Sequence, residues 1–202
     1  MSAHPDLTDE QVMELARQGN LSAFNTLVER YQDALYSLCY RFLGSRQSAE
    51  DATQEAFLSA YRSLSTFGGG SVRSWLLRIA ANAAKDELRR RSRKDVARSI
   101  HSDESRREGM LDVPDAAGDV QAIVEGAELQ RLVREAIDTL PDDQRLVILL
   151  VDVQGLGYTE ACDVMSLSLG TLKSRLFRAR LRLRQHFSQF PELFGAHRRL
   201  EK

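Results

Sequence analysis

Two cysteines, Cys39 and Cys162, are all that 202 residues contain, and they lie far apart among apolar neighbours. That excludes a disulfide framework and a CxxC redox or metal pair, and leaves two buried free thiols as the expectation. Histidine is equally sparse. His4, His101, His186 and His197 are scattered without metal-ligand spacing, so no metal and no cofactor are expected. Long apolar runs are missing, which argues against a membrane-spanning helix. The N-terminus, MSAHPDLTDE, is polar and acidic and lacks the basic and apolar regions of a signal peptide, so a cytoplasmic protein is expected. No nucleophile, acid–base pair or metal cluster stands out, which speaks against an enzyme and against a small-molecule substrate. Apolar residues make up 43% of the chain, enough to bury the core of one domain or of two small ones. Lys+Arg (28) and Asp+Glu (29) nearly cancel to a net charge of −1, so any function built on charge must concentrate it locally.

Helical periodicity dominates, and no segment reads convincingly as a strand. Thr8 or Asp9 can cap a first helix carrying Val12, Leu15 and Ala16, which stops at Gly19-Asn20. Ser22 is positioned to cap a second, whose Phe24, Leu27, Val28, Tyr31, Leu35, Leu38 and Phe42 recur at helical spacing until Gly44. A third helix is expected from about Ser48 to Ser65, followed by the break FGGGS, and a fourth from near Ser74 into the basic run RRRSRK. Residues 96–124 are polar and acidic, with both Pro and Gly, and read as a linker too poor in apolar surface to make its own core. Beyond it, helices are expected over Glu125–Thr139, Asp142–Val153, Tyr158–Met165 and from Leu169 onward. The pattern predicts an all-α chain of two small helical domains, 7–95 and 125–187, with a tail at 188–202 to which no role is assigned.

The charge is concentrated in GTLKSRLFRARLRLRQ, Gly170 to Gln185, which holds no acidic residue. At about 100° per residue, Leu169, Leu172, Leu176, Ala179 and Leu183 share one face. The opposite face centres on Ser174, flanked by Lys173, Phe177, Leu181 and Arg178, with Arg175 and Arg182 at its edge. Arginine stems covering apolar surface would give a solvated helix of this kind, but solvated faces usually mix signs. A short segment, YTEACDVM, precedes it across the tight SLS, which is helix-turn-helix spacing. Phosphate and major-groove contact explains the local charge.

A second basic surface lies in SWLLRIAANAAKDELRRRSRK. Projection turns Leu76, Ile79, Ala80, Ala83 and Leu88 inward and leaves Trp75, Arg78, Asn82, Lys85, Asp86 and Arg89 outward. Trp75 either offers a stacking surface to an unpaired base or tucks into its own module, and the sequence leaves both open. The loop Phe67, Gly68, Gly69, Gly70, Ser71 is either a bare turn or a close approach to a nucleotide. In SAEDATQEAFLSAYRSL, Phe57, Ala60, Tyr61 and Leu64 form the packing face, while Asp51, Gln54, Glu55, Leu58 and Arg62 align opposite. A leucine within a polar stripe suits a protein interface, although single exposed leucines are ordinary.

In this order the segments resemble a bacterial RNA polymerase sigma factor of the extracytoplasmic-function (ECF) group. AEDATQEAFLSAYRSL is similar to the helix that binds core polymerase. SWLLRIAANAAKDELRRRSR is similar to the segment that opens and reads the −10 element. LPDDQRLVILLVDVQGLGYTEACDVMSLSLGTLKSRLFRARLRLR is similar to the helix-turn-helix domain that reads the −35 element. The resemblance implies core RNA polymerase, promoter DNA and an anti-sigma factor as partners. It places Asp51, Gln54, Glu55 and Leu58 against the polymerase clamp, Asn82, Lys85 and the Phe67–Ser71 loop at the opened −10 strand, and Lys173, Ser174, Phe177 and Arg178 in the −35 major groove. It further implies that the linker, with Asp103, Glu104, Glu108, Asp112, Asp115 and Asp119, threads the channel later used by nascent RNA. Gly157, where the family often has Ser as a cap, Ser166, where Gly is usual in the turn, and Ala161, in place of a larger aliphatic residue, depart from its pattern. The rival reading, a helix-turn-helix regulator acting without polymerase, leaves the acidic stripe and the Trp75 surface idle.

Overall fold

The computed structural model describes residues 6–98 and 120–189, with side chains described for 6–93 and 129–189. The described part is helical throughout, with no strand among the described residues. The six linker carboxylates and nearly all of the tail lie outside the described residues.

Helix α1 (Asp9–Arg17) starts on Thr8, whose hydroxyl accepts from the Gln11 amide at 3.3 Å while the Gln11 side chain accepts from the Thr8 amide at 2.9 Å. Asp9, freed from capping, holds α1 to the next helix instead. It pairs with Arg30 at 2.7 Å and accepts from the Tyr31 hydroxyl. Burial, and then this carboxylate, push the Tyr31 phenol well above its ordinary range. Helix α2 (Leu21–Leu43) is capped by Asn20, which accepts from the Ala23 amide at 3.1 Å, and not by Ser22. Helix α3 (Arg46–Arg62) begins two residues before the expected Ser48 because Ser45 takes the cap. A 3₁₀ turn (Leu64–Thr66) leads to α4 (Val72–Arg98), which starts ahead of Ser74 because the Ser71 hydroxyl accepts the Ser74 amide at 3.1 Å.

The inward side of α3 is built from Ala49, Ala52, Ala56 and Ala60, all buried, so α2 and α4 can approach its backbone closely. Tyr61, expected on that packing face, is 47% exposed, with its ring set edge-on to Phe24 at 5.1 Å. The inward row of α3 is alanine throughout, and Tyr61 lies outside it.

The second half contains α5 (Val120–Asp138), α6 (Asp142–Ile148), α7 (Tyr158–Met165) and α8 (Leu169–Phe187). The segment expected as one helix to Val153 changes after Ile148 into a single π turn, Leu149–Val153, with Leu149 and Leu150 both fully buried. Helix α4 reaches Arg98 and α5 begins at Val120, each a few residues inside the stretch read as linker. The two halves touch. Helix α7 packs against α4, and the π turn and α6 pack against α2. Helix α4 therefore buries Leu77, Ala81 and Ala84 as well as Leu76 and Ala80, while Ile79, Ala83 and Leu88 are only half-buried. A single-stripe projection fails there because the helix is covered from more than one side.

Candidate nucleic-acid interfaces and an acidic groove

Ser168 caps α8, its hydroxyl accepting from the Thr171 amide at 3.3 Å. Leu172, Leu176 and Ala179 are buried, Leu183 is half-buried, and Leu169, expected inward, is 47% exposed at the first turn. Lys173, Ser174, Phe177 and Arg178 all face solvent, and the Phe177 ring is 68% exposed. The arginines divide by partner. Arg175 is half-buried and pairs with Asp143 of α6 at 2.9 Å. Arg180 donates twice to Asp152 of the π turn, at 3.0 and 2.6 Å, and these bonds raise its pKa further. Among the described residues, neither Lys173 nor Arg178 has an acidic partner. Arg175 and Arg180 brace the helix, and the free cations gather on its outer face.

The turn before α8 carries strain. Ser166 adopts the left-handed conformation (φ 54°, ψ 50°), the one positive-φ non-glycine among the described residues. Glycine relieves a Cβ conflict of about 1–2 kcal/mol there. Ser166→Gly is expected to stabilise the helix-turn-helix by about 1 kcal/mol, read as a raised midpoint in thermal unfolding. An unchanged or lowered midpoint would show that the serine side chain outweighs the strain. At the start of α7, Gly157 donates its amide to Glu160 at 3.1 Å, so a cap without a side chain still has half of a reciprocal box.

Phe67, grouped by sequence with the glycine loop, is buried, and Trp75 meets its ring edge-on at 5.6 Å. Phe67 anchors the loop from beneath. Trp75, half-buried, both packs on its own module and lines open space. Gly69 and Gly70 have φ of 96° and 85°, and a Cβ at either would meet no heavy atom within 4 Å, so backbone conformation and not crowding calls for glycine. With Ser71, Trp75 and Arg78 they line a cavity of about 540 Å³ that α7 closes with Glu160 and Ser166. Asn82 and Arg89 point to solvent, with Arg89 on Asp86 at 3.2 Å. Lys85 is half-buried beside the second half of the chain. Burial lowers its ammonium pKa, opposed by the charge of Asp143 and reinforced by those of Arg89 and Arg175.

On α3, Asp51, Gln54, Glu55 and Leu58 are exposed and line one wall of a groove of about 600 Å³. Asp86, Glu87 and Arg90 of α4 form its other wall, and the sequence projection missed Glu87 and Arg90 there. Glu87 is held by Arg90 at 2.6 Å. Arg62 stands apart from the groove, 3.7 Å from Glu55. Cys39 is fully buried and Cys162 half-buried, both as free thiols, and burial raises the Cys39 thiol to about 11.

An all-helical chain with a cationic helix-turn-helix, a separate Trp/Arg/Asn/Lys helix face and an acidic groove behind that face has the architecture of a bacterial transcription-initiation factor. Residues 27–94 match Sigma-70 region 2, and residues 130–183 match Sigma-70, region 4. The chain is 37% identical over 178 residues to the ECF RNA polymerase sigma-E factor of Haemophilus influenzae, covering 86% of this chain and 92% of that one. It is 36% identical over 174 residues to the RNA polymerase sigma-H factor of Pseudomonas aeruginosa, with 85% and 90% covered. Among solved structures it is similar to the sigma factor RpoE in complex with the anti-sigma factor NepR from Bartonella quintana (TM-score 0.66, 25% identity, 82% of this chain and 96% of that chain). It is also similar to CnrH in complex with the cytosolic domain of CnrY (TM-score 0.65, 25% identity, 90% and 98% covered). The chain belongs to the ECF RNA polymerase sigma factors, the subunits that direct core polymerase to initiate at particular promoters.

Proposed function

We propose that the unit 7–95 binds core polymerase and the −10 element, that 125–187 reads the −35 element, and that 96–124 connects them through the polymerase. In this reading Asp51, Gln54, Glu55 and Leu58 meet the polymerase, with Arg62 at the border. Trp75, Arg78, Asn82, Lys85 and Arg89, with the glycine loop anchored by Phe67, take the opened −10 strand. Lys173, Ser174, Phe177 and Arg178 enter the −35 major groove, and Arg175 buttresses them from the flank. The protein works by binding and positioning, without catalysis of its own, in the cytoplasm where polymerase and chromosome meet. An anti-sigma factor completes its set of partners, supported by the complex in which the similar RpoE was solved.

The exposure of Lys173 and Arg178 without acidic partners among the described residues, on a helix whose Arg175 and Arg180 are paired, supports the −35 assignment. Arg178→Ala should reduce transcription from a −35-dependent promoter by the value of one good base contact, about 1–3 kcal/mol, while capture of core polymerase stays unchanged. Equal activity of variant and parent would remove Arg178 from the reading face. A loss uniform across promoter sequences, with a shallower salt dependence, would assign it to phosphate instead.

A further inference from the structure

The cations of α8 are divided by where they stand as well as by what they touch. Measured from the line opposite Leu172, Leu176, Ala179 and Leu183, Lys173, Arg178, Arg182 and Arg184 lie within about 90° of the centre of the outer face. All four are exposed, and none has an acidic partner among the described residues. Arg175 and Arg180 flank that face, one on each side, each about 110° from its centre. Each is tied to a carboxylate of the neighbouring scaffold, Arg175 to Asp143 at 2.9 Å and Arg180 to Asp152 at 3.0 and 2.6 Å.

The Arg180 pair does not sit where an ion pair holds a fold together. Its side chains are 50% and 34% exposed, and pairs so open to water contribute little to stability. Its geometry is nonetheless fixed. Buried Leu149 and Leu150 root the π turn, the Gln154 amide closes it on the Leu149 carbonyl at 2.8 Å, and Asp152 is left exposed on its open side. Nε and one terminal nitrogen of Arg180 meet the two oxygens of Asp152, the same fork with which arginine holds a phosphate. Tyr158 adds to this hold on the guanidinium.

We propose that Asp152 is a positioning residue for promoter discrimination, withholding Arg180 from DNA phosphate so that α8 binds well only when its outer face is seated. This role rests on the −35 reading above. Arg180 lies about 20° beyond Lys173 and two turns further along the helix, so a small roll of α8 brings a free Arg180 to the edge of the groove. A helix rolled in this way holds phosphate on any sequence while its base-reading side chains face away. Phosphate contacts supply nearly all of non-specific binding, and a free cation at the flank strengthens that without adding to base readout. With its fork filled by Asp152, Arg180 gives the rolled pose nothing. Specificity is a difference of affinities, and here it widens because the wrong complex is kept weak.

The test uses core polymerase loaded with the full chain, on a −35-dependent promoter duplex and on the same duplex with its −35 element scrambled. Asp152→Asn keeps the size of the side chain and one acceptor but not the charge. Its affinity for the scrambled duplex should rise at least about 3-fold at about 0.1 M salt, with a salt slope steeper by up to about 0.9, the share of one phosphate. Affinity for the intact duplex should stay within about 2-fold of the parent, because the seated helix keeps Arg180 at the flank, so discrimination falls. Arg180→Gln in the same chain removes the freed cation and should restore parental values. Parental affinity and slope for Asp152→Asn on both duplexes, beside a parent that does discriminate, overturn the proposal and leave the −35 reading standing. Equal tightening on both duplexes overturns it too, since Asp152 then limits affinity and not specificity. So does tightening that persists in the double variant, because it does not pass through Arg180. Weaker binding on both, with a thermal midpoint lowered by more than about 8 °C, overturns it in favour of a stabilising strut. A parent that binds both duplexes alike removes the −35 reading, and this role with it.

Discussion

With Asp51 and Glu55 both replaced by lysine, the chain is expected to lose roughly 100-fold or more in affinity for core polymerase. Like charges brought together across an interface cost several kcal/mol, and the double reversal makes two such juxtapositions with whatever basic surface the groove receives. The fold has little to lose. Both carboxylates are exposed, and the only ion pair either makes among the described residues is Glu55 with Arg62 at 3.7 Å. Both side chains of that pair are more than half exposed, so the pair contributes little to stability. The packing of α3 rests on Ala52 and Ala56, which point the other way. Pull-down by immobilised core polymerase is the measurement, with Arg178→Ala as a companion that should bind normally. Capture at parental efficiency by the double variant would move the polymerase surface off this groove. Leu58, 44% exposed in the same wall, should show a smaller loss on truncation, since its share is burial alone.

Helix α8 was legible in sequence because it is covered from one side. Leu172, Leu176 and Ala179 go inward, and Lys173, Ser174, Phe177 and Arg178 on the opposite face are exposed, with Leu181 and Arg175 half-buried at its sides, so a 3.6-residue period nearly suffices. Helix α4 was legible only in part. Its buried residues extend to Leu77, Ala81 and Ala84, since α2, α3 and α7 all cover it and no single stripe describes that. Tyr61 and Phe67 exchange their expected places for a related reason. The inward row of α3 is alanine, with the tyrosine outside it, and Phe67 is buried against Trp75 beneath the glycine loop. Polar contacts between the halves left no trace in the sequence. Arg73 and Gln154, or Ser74 and Glu160, are more than 80 residues apart, and each reads locally as an ordinary surface residue. Cap exchanges such as Asn20 for Ser22 are matters of one or two residues, within which several side chains can do the same work.

Arg145 is the clearest case of a residue whose local pattern misleads, and its removal should be the most damaging single change in the second half. In sequence it is one charge among DDQR at the start of a helix. In the structure it is 4% exposed. One guanidinium nitrogen donates to the carbonyls of Asp138 and Leu140 at 2.7 and 3.2 Å, the last turn of α5 and the residue just before Pro141. The other donates to Phe42 across the halves, and the Asp138 carboxylate lies 3.7 Å away. The side chain thus satisfies the orphan carbonyls at the end of α5 and fixes the angle at which α6 departs. Arg145→Ala leaves those carbonyls and Asp138 without their cation, a loss of about 3–5 kcal/mol by analogy with other broken buried pairs. In a unit this small each kcal/mol moves the midpoint by about 4–8 °C, so thermal unfolding followed by circular dichroism should shift by more than ~10 °C. Arg145→Met fills the volume but supplies no donor, and should be nearly as unstable. Arg145→Lys keeps the charge without the planar fork that reaches several carbonyls together, and should fall between. DNA binding by Arg145→Ala should fail on every sequence, because the platform under α8 is lost, whereas Arg178→Ala should change the preference at particular base pairs. A midpoint for Arg145→Ala within about 2 °C of the parent would show that water can replace the guanidinium at these carbonyls.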